Sequence, residues 1–575
     1  MTTFRRALGL AVAAGTAAAA ACASGGGPAA ANTGARPISA YPPRNLADLR
    51  PQTRAERTSF RETSRHADVL AFIDSLATMG KEVIHVDTLG TSTRGRVIPM
   101  VIASRPLVRS AAEAKRLNRP IVYVQGNIHG GEVEGKEALL SILRDLTFDR
   151  YANALDSLVL VAVPLYNADG NDSLGPQQRN RGSQNGPELI GLRANGQGLD
   201  LNRDYVKAEA PETRASLDLF RDWDPDIFVD LHTTDGSFHG YDVTWAGPLN
   251  PAARFTGPFT NDTVLPELRT ILMDRLRMQT FPYGNFLSQD SIQRGWYSYD
   301  HRPRFGTNYF GLRGRVAVLS EAYSHDPFPE RVASTYGFVM ELLSLIAANP
   351  EDFLDASREA DRRTTGFSTT PGTSPEIAVR SRLTDTPRRE DVRYEEIERA
   401  GDTARTEPGL RPGIRRTGRI RSERIPIYDR FEPVLERRLP FAWVIPAEQA
   451  PLIEHLRRHG LFVEQPAIAG IARGQRFVID SVIRQTQSFQ GHQETRLEGR
   501  WEPVDSIALD PSDYVIRGQP LGILAQYLLD PQSDDGFVTW NFMDQWLPAP
   551  GAANGVRYPI MRVEDRIAVP VRAVR

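Results

Sequence analysis

The sequence predicts an α/β N-terminal part, a mixed and mostly parallel sheet flanked by helices, followed by a mainly β C-terminal accessory part. Three observations carry this. Short apolar runs such as IVYVQG, LVLVAV, IFVDL and VAVLS alternate with helical patterns between residues 59 and 346, as strands buried on both faces of a parallel sheet do. The polar residues best suited to chemistry stand just past the C-terminal ends of these runs, the edge at which open α/β sheets bind ligands. From residue 425 onward short apolar runs return between Pro, Gly and Asp turns, with one helical stretch at AEQAPLIEHLRRHG.

At the N-terminus, Arg5 and Arg6 precede an apolar stretch over 7–21. About 20 apolar residues are needed to span a bilayer, so this shorter run reads as an export signal over 1–22. Cys22 follows small residues and precedes Ala-Ser-Gly-Gly-Gly-Pro. The segment resembles a bacterial lipoprotein lipobox, with Ala19 where Leu or Val is usual. That resemblance implies a lipidated Cys22; cleavage by an ordinary signal peptidase is the other reading. The expected location is therefore periplasmic or outer-membrane lipoprotein, or secreted, with membrane contact only through the N-terminal lipid. A Gly/Ala/Pro-rich tether follows over 23–50.

The folded unit expected over 51–355 opens with a helix at HADVLAFIDSLATMG, where apolar residues recur at three- and four-residue steps. VIHVDTLGTSTRGRVIPMVIAS alternates like two strands joined by a polar turn. RPIVYVQGNIHGGEVEGKEALLSILRDL reads as strand, Gly-rich turn and helix. LDSLVLVAVPLYNADG, PDIFVDLHTTDG and RVAVLSEAYSHDP each read as a buried strand ending in a polar turn. Over 356–424, Arg, Thr, Pro, Asp and Glu dominate, which reads as a charged irregular connector. The accessory part occupies 425–575.

Lys and Arg number 69 and Asp and Glu 71 among 575 residues, a formal net charge of −2. That balance gives no electrostatic footprint for nucleic acid, and the basic stretch GIRRTGRIRSER reads as a solvated linker. The single cysteine excludes an intrachain disulfide and a Cys-rich zinc site. A metal site would have to use His and carboxylates. No stretch after the N-terminus reads as long and apolar enough for a membrane helix.

His129 and Glu132, in GNIHGGE, stand three residues apart where a strand turns into a helix, a spacing that lets both side chains address one centre. A catalytic zinc takes three protein ligands and leaves its fourth position to water. His232, ending FVDLH, is the third candidate. Glu321 directly follows VAVLS, where an acid buried without a partner is costly. Glu134 and Glu137 read as helix surface or as support for the site, Lys136 as a solvated helical position, and His325 as a loop histidine.

Together these motifs resemble the zinc carboxypeptidases of the carboxypeptidase A/B type over about residues 59–346. TLGTSTRGRVIPMVI resembles the family's early hairpin, HGGE its HxxE pair, and YNADG its NPDG turn. GLDLNRDY resembles its GVDLNRNF segment, DLHTTDG its strand-end histidine, and VAVLSEAY the strand that carries its glutamate. The resemblance implies one zinc ion per chain, held by His129, Glu132 and His232. It implies that Glu321 takes a proton from zinc-bound water and passes it to the leaving amine. It implies Arg193 at the oxyanion, with Arg179 or Arg181 as alternatives, and Asn202 with Arg203 clasping the substrate's terminal carboxylate. Asp200 would orient the first ligand histidine, and either Tyr299 or Tyr309 would lie over the substrate. The implied activity is that of a metallocarboxypeptidase acting on a peptide or amide substrate with a free carboxylate. Two alternatives stand beside it: an amidohydrolase of N-acyl amino acids or cell-wall peptides, and a non-catalytic surface binding lipoprotein.

Overall fold

A computed structural model describes residues 50–148, 154–367, 373–399, 413–551 and 555–574. The expected signal over 1–22, with Cys22, and all of the expected tether but residue 50 lie outside the described residues.

The central sheet is built from β1 (Ile84–Thr91), β2 (Val97–Ala103), β3 (Ile121–Gly126), β4 (Val159–Val163), β5 (Ile227–Thr233), β6 (Val243–Ala246), β7 (Thr280–Pro282) and β8 (Val316–Ala322). Their spatial order is β1-β2-β4-β3-β5-β8-β6-β7. The four central strands β4, β3, β5 and β8 are parallel. β2 runs antiparallel to β1 and β4, and β6 antiparallel to β8. The mixed, mostly parallel sheet is thus the one its apolar runs predict.

Alternation along the strands sorts side chains between two cores. Val122 and Val124 join one cluster, with Leu139 and Leu143 of helix α1 (Glu134–Thr147) and Val339 and Leu343 of α3 (Phe328–Ala348). Ile121 and Tyr123 join the other, with Leu217 and Phe220 of α2 (Pro211–Trp223). Among the described residues α3 alone has the length and apolarity of a membrane span, contrary to the expectation of none, but most of that apolar stretch is buried inside the protein.

All of α1 is buried, which corrects the solvated position expected for Lys136. Lys136 Nζ donates to the Ser64 carbonyl at 2.5 Å and to Asn171 Oδ1, and burial pulls its pKa down to about 8. Glu137 accepts from Thr63 Oγ1 at 2.9 Å, Ser64 N at 2.6 Å and Ser64 Oγ at 2.9 Å. The chain around Thr63 and Ser64 folds over the face that local periodicity would leave to water.

The irregular connector expected over 356–424 is also corrected: its described residues are mostly in regular elements. A helix runs from Pro350 to Phe367, and strands cover Glu376–Leu383, Arg388–Arg399 and Ile414–Tyr428. The last two pair antiparallel, and Ile414–Tyr428 also pairs with the short strand Trp296–Tyr297. Alternating charged residues obscured these strands because much of both lies open to solvent.

The C-terminal part is mainly β. A long hairpin, Gly470–Arg484 with Thr495–Leu509, joins a sheet that includes Ala442–Ile445 and Tyr514–Arg517, and the expected helix forms over Ala450–Arg458. It is no loose appendage: Trp443, Leu456, Phe477 and Trp540 share one apolar cluster with Tyr123, Phe220 and Phe228 of the central sheet and α2. His455 and His459 sit in this seam, their Nε2 atoms 3.4 and 3.1 Å from the Val206 carbonyl. Burial holds His455 down at about 4, from an ordinary 6.5, and pushes His459 well down too.

Both rings are thus neutral in the fold but take up protons in the unfolded chain. Stability is full above about pH 6.5 and is lost as pH falls toward 4. Urea unfolding at pH 7.5 and pH 5 is expected to show this loss, on the order of 2 kcal/mol from His455 alone. His455→Gln is expected to remove its share and leave that of His459; an unchanged slope in that variant would contradict the assignment.

Candidate active site

Local chemistry shapes the turn after β3. Asn127 adopts φ 63, a left-handed conformation that Asn tolerates better than most residues. Its Nδ2 donates to the carbonyls of His129, Gly130 and Glu132 at 2.9–3.3 Å, folding the chain back on itself. A Cβ on Gly130 would lie 2.3 Å from the Gly170 carbonyl carbon and 2.5 Å from Asn171 N. The HGGE turn is therefore seated directly on the NADG turn. Asn167 fastens the two, its Nδ2 donating at 3.1 Å to both the Ile128 and Arg193 carbonyls. Asp169 ties on the β1–β2 turn through Arg96 Nη1 at 2.6 Å and Arg94 N at 2.9 Å. Gly130→Ala forces backbone against backbone and is expected to cost about 1–3 kcal/mol or more in urea unfolding; a neutral result would refute this packing.

Sheet register supplies the rest. His232 on β5 pairs directly with Glu321 on β8, and Asp230 with Gln125 on β3. Alternation puts Asp230 and His232 on one face, so a single strand presents a ligand and its support.

His129, Glu132 and His232 converge, and all three are buried. His129 Nδ1 is 2.9 Å from Glu132 Oε1, His232 Nδ1 is 3.0 Å from Glu132 Oε2, and the two Nδ1 atoms are 3.3 Å apart. Ligands about 2.0–2.1 Å from a tetrahedral zinc stand roughly 3.3 Å from one another, so this donor set fits the ion. Behind it, Asp200 Oδ1 is 3.1 Å from His129 Nε2 and Asp230 Oδ2 is 2.9 Å from His232 Nε2, the outer carboxylates that orient ligating imidazoles. Asp230 extends inward to Gln125 Nε2 at 3.1 Å, and Gln125 Oε1 accepts from Tyr123 Oη at 2.8 Å. Burial alone would raise Glu132, but His129 and Arg181 hold it well below the usual carboxylate range.

Glu321 is 7 % exposed, and its Oε2 has no hydrogen-bond partner among the described residues. Burial and the nearby Glu132 push its carboxyl well up, against the pull of His232.

The three candidate oxyanion arginines separate. Arg179, exposed on the short helix Gln177–Asn180, turns to Asn180 Oδ1 at 3.1 Å. Arg181 is nearly buried, with Nη1 2.7 Å from Glu132 Oε1 and Nη2 on the Thr233 and Thr234 carbonyls at 2.6 and 2.8 Å. Arg193 donates Nε to Asp200 Oδ2 at 2.9 Å, lies 3.5 Å from Glu132 Oε1, and keeps 41 % of its side chain open.

Asn202 Oδ1 accepts from Gly306 N at 2.9 Å, and its Nδ2 is 3.4 Å from His232 Nε2. Arg203 stacks on the Phe305 ring at 3.8 Å and donates Nη1 to the Asn202 carbonyl at 2.8 Å.

Of the two tyrosines, Tyr309 is corrected. It is 0 % exposed within the seam to the C-terminal part, its hydroxyl 2.7 Å from His459 Nδ1, and cannot lie over a substrate. An apolar helix, Gly306–Leu312, buried on all sides carries it there. Tyr299 stays near the site, beside Tyr283, and burial together with Glu321 pushes its hydroxyl up.

Sequence reasoning missed Asp230, although its place two residues before a strand-end histidine was a usable signal. It also missed the buried pair of Glu134 with Arg331 at 3.3 Å, Glu134 also accepting from Thr233 Oγ1. Nothing local joins residues 134 and 331.

Residues 69–299 match the family described as zinc carboxypeptidase. The chain is similar to carboxypeptidase 2 of Trichophyton rubrum, 21% identical over 489 residues, covering 82% of this chain and 81% of that protein. It is similar over 210 residues to carboxypeptidase M of Mus musculus, at 23% identity, covering 34% of this chain and 43% of that protein. Among solved structures, a metallo-carboxypeptidase from Burkholderia cenocepacia matches 49% of this chain and 69% of its own, with 16% identity and a TM-score of 0.36.

Proposed function

We propose that this chain, a member of the zinc carboxypeptidase family through residues 69–299, is a metallocarboxypeptidase that removes residues from peptides ending in a free carboxylate. The observation that carries the reading is the convergence of His129, Glu132 and His232 with Glu321 in register beside them.

His129 Nδ1, His232 Nδ1 and the Glu132 carboxylate would hold one zinc ion. Zinc in such a site lowers the pKa of a bound water to roughly 7 and polarises a carbonyl. Glu321 receives the proton of the attacking water and returns it to the departing amine; burial makes its carboxylate a stronger base than an exposed one. Of the two arginines beside Glu132, Arg193 is the one open enough to meet the oxyanion, a fixed cation acting where charge develops. Arg181, with Nη1 on Glu132 and Nη2 on two carbonyls, holds that acid in place instead. Arg203 offers its fork to the substrate carboxylate: among the described residues no acceptor takes its Nε or Nη2. Asn202 stands beside it as the second donor, and Tyr299 borders the cleft.

A non-catalytic binding protein would have no use for a buried, unbonded acid opposite the ligands. We also place the enzyme outside the cytoplasm, held by lipid at Cys22, on the strength of Arg5, Arg6, the apolar stretch over 7–21 and the small residues around Cys22.

Mass spectrometry of a mixed peptide panel tests the activity. Stepwise loss of C-terminal residues is expected, abolished by a chelator and restored by zinc, with C-terminally amidated peptides resistant. Cleavage that ignores chelation, or that cuts amidated peptides equally well, removes the reading. Release from muropeptides or N-acyl amino acids alone would favour the amidohydrolase.

A further inference from the structure

The 299–306 loop, running from the strand Trp296–Tyr297 into the first residue of the helix Gly306–Leu312, has two faces. One meets the site. Phe305 lies under the Arg203 guanidinium at 3.8 Å, Gly306 N donates to Asn202 Oδ1 at 2.9 Å, and Tyr299 packs edge-on against Phe305 at 5.3 Å. The other meets the C-terminal part. Arg304 sends N and Nε to the two oxygens of Asp535 at 2.7 and 3.0 Å, and Nη1 to Glu494 Oε1 at 2.6 Å. Arg302 reaches Glu494 Oε2 at 3.3 Å, and His301 Nε2 is 3.0 Å from Asp534 Oδ2.

The anchor is rigid. Asp535 is 0 % and Arg304 4 % exposed, Trp540 Nε1 donates to Asp535 Oδ1 at 2.9 Å, and the Trp540 ring lies 4.4 Å from the Arg304 guanidinium carbon. Residues 299–305 have no regular secondary structure of their own, so their path is set by what grips them. Arg203 and Asn202 therefore rest on a platform whose position is dictated from more than 190 residues downstream.

We propose that Asp535 and Glu494 of the C-terminal part are positioning residues for the carboxylate clasp, acting through Arg304 and the 299–306 loop on Arg203 and Asn202. The proposal rests on the carboxypeptidase reading and gives the C-terminal part a role in substrate binding. A charged fork aimed at a small anion tolerates little displacement, and a shift of about 1 Å can cost on the order of a hundredfold.

The test uses the zinc-loaded full chain with Asp535→Asn, Glu494→Gln and Glu494→Asp. Readouts are kcat and KM on an N-blocked dipeptide with a free carboxylate, the Ki of acetohydroxamate, which can bind zinc but has no carboxylate, and zinc content. Asp535→Asn and Glu494→Gln are expected to raise KM about ten- to hundredfold with kcat within about twofold, the pattern of lost ground-state binding. Hydroxamate Ki and zinc content should stay at wild type, and Glu494→Asp should restore KM. Should Asp535→Asn fail to fold, Glu494→Gln, whose side chain is 28% exposed, decides alone. Wild-type KM in the soluble variants, or a parallel rise in KM and hydroxamate Ki, overturns the proposal. A wild-type chain that hydrolyses no peptide overturns the carboxypeptidase reading instead.

Discussion

Glu321→Gln is expected to lower kcat by about 10²–10⁴-fold, the share general acid–base catalysis commonly supplies, with zinc unchanged at one per chain. Gln fills nearly the same volume, so the packing of β8 between β5 and β6 is preserved. Oε2 makes no hydrogen bond among the described residues, so no structural contact is lost with it. What is lost is a group able to take up a proton beside the ligands. Burial and Glu132 raise that group's proton affinity in the wild type, and an amide has none to offer. Steady-state kinetics with zinc analysis by mass spectrometry checks both halves. A variant that retains more than about a tenth of wild-type turnover would show that Glu321 is not the base.

Removing a ligand should do more. His232→Ala is expected to abolish stoichiometric zinc and to destabilise even the chelator-treated protein by about 3–5 kcal/mol. His232 stands between two carboxylates, 3.0 Å from Glu132 and 2.9 Å from Asp230, each nearly or wholly buried. Asp230 and Glu132 push His232 well above its usual range despite burial. Alanine therefore leaves the buried Asp230 with the neutral Gln125 amide and no cation, facing a void, while Glu132 keeps Arg181. Unfolding measured in chelator separates this cost from the loss of bound metal, which stabilises the native state by mass action. Stoichiometric zinc in the purified variant would refute the ligand assignment.

The sheet and the ligand set were legible for a common reason. Apolar runs of β3, β5 and β8 state their own burial, and His129, Glu132, His232 and Glu321 stand at or just past the ends of those runs. Strand geometry then brings them together with few alternatives, because one register pairs His232 with Glu321. Charge patterns misled where burial came from distant segments. Lys136 reads as solvent-facing until the chain at Ser64 covers it. The strands within 356–424 read as irregular because charged residues occupy their open faces. Tyr309 and Tyr299 cannot be told apart by chain position, since both precede Glu321. The C-terminal seam at His459 takes one of them, and Phe305 and Tyr283 hold the other at the site.

Composition and motif spacing by themselves determined that a His and carboxylate site would form at the C-terminal edge of a mostly parallel sheet, because strand and turn preferences act over a few neighbouring residues. Only the tertiary structure decided which arginine stays open to solvent, which tyrosine keeps to the cleft, and that Asp535 grips the loop beneath Arg203. Those outcomes depend on contacts between segments far apart in the chain, whose energies are set by packing and burial rather than by any local pattern.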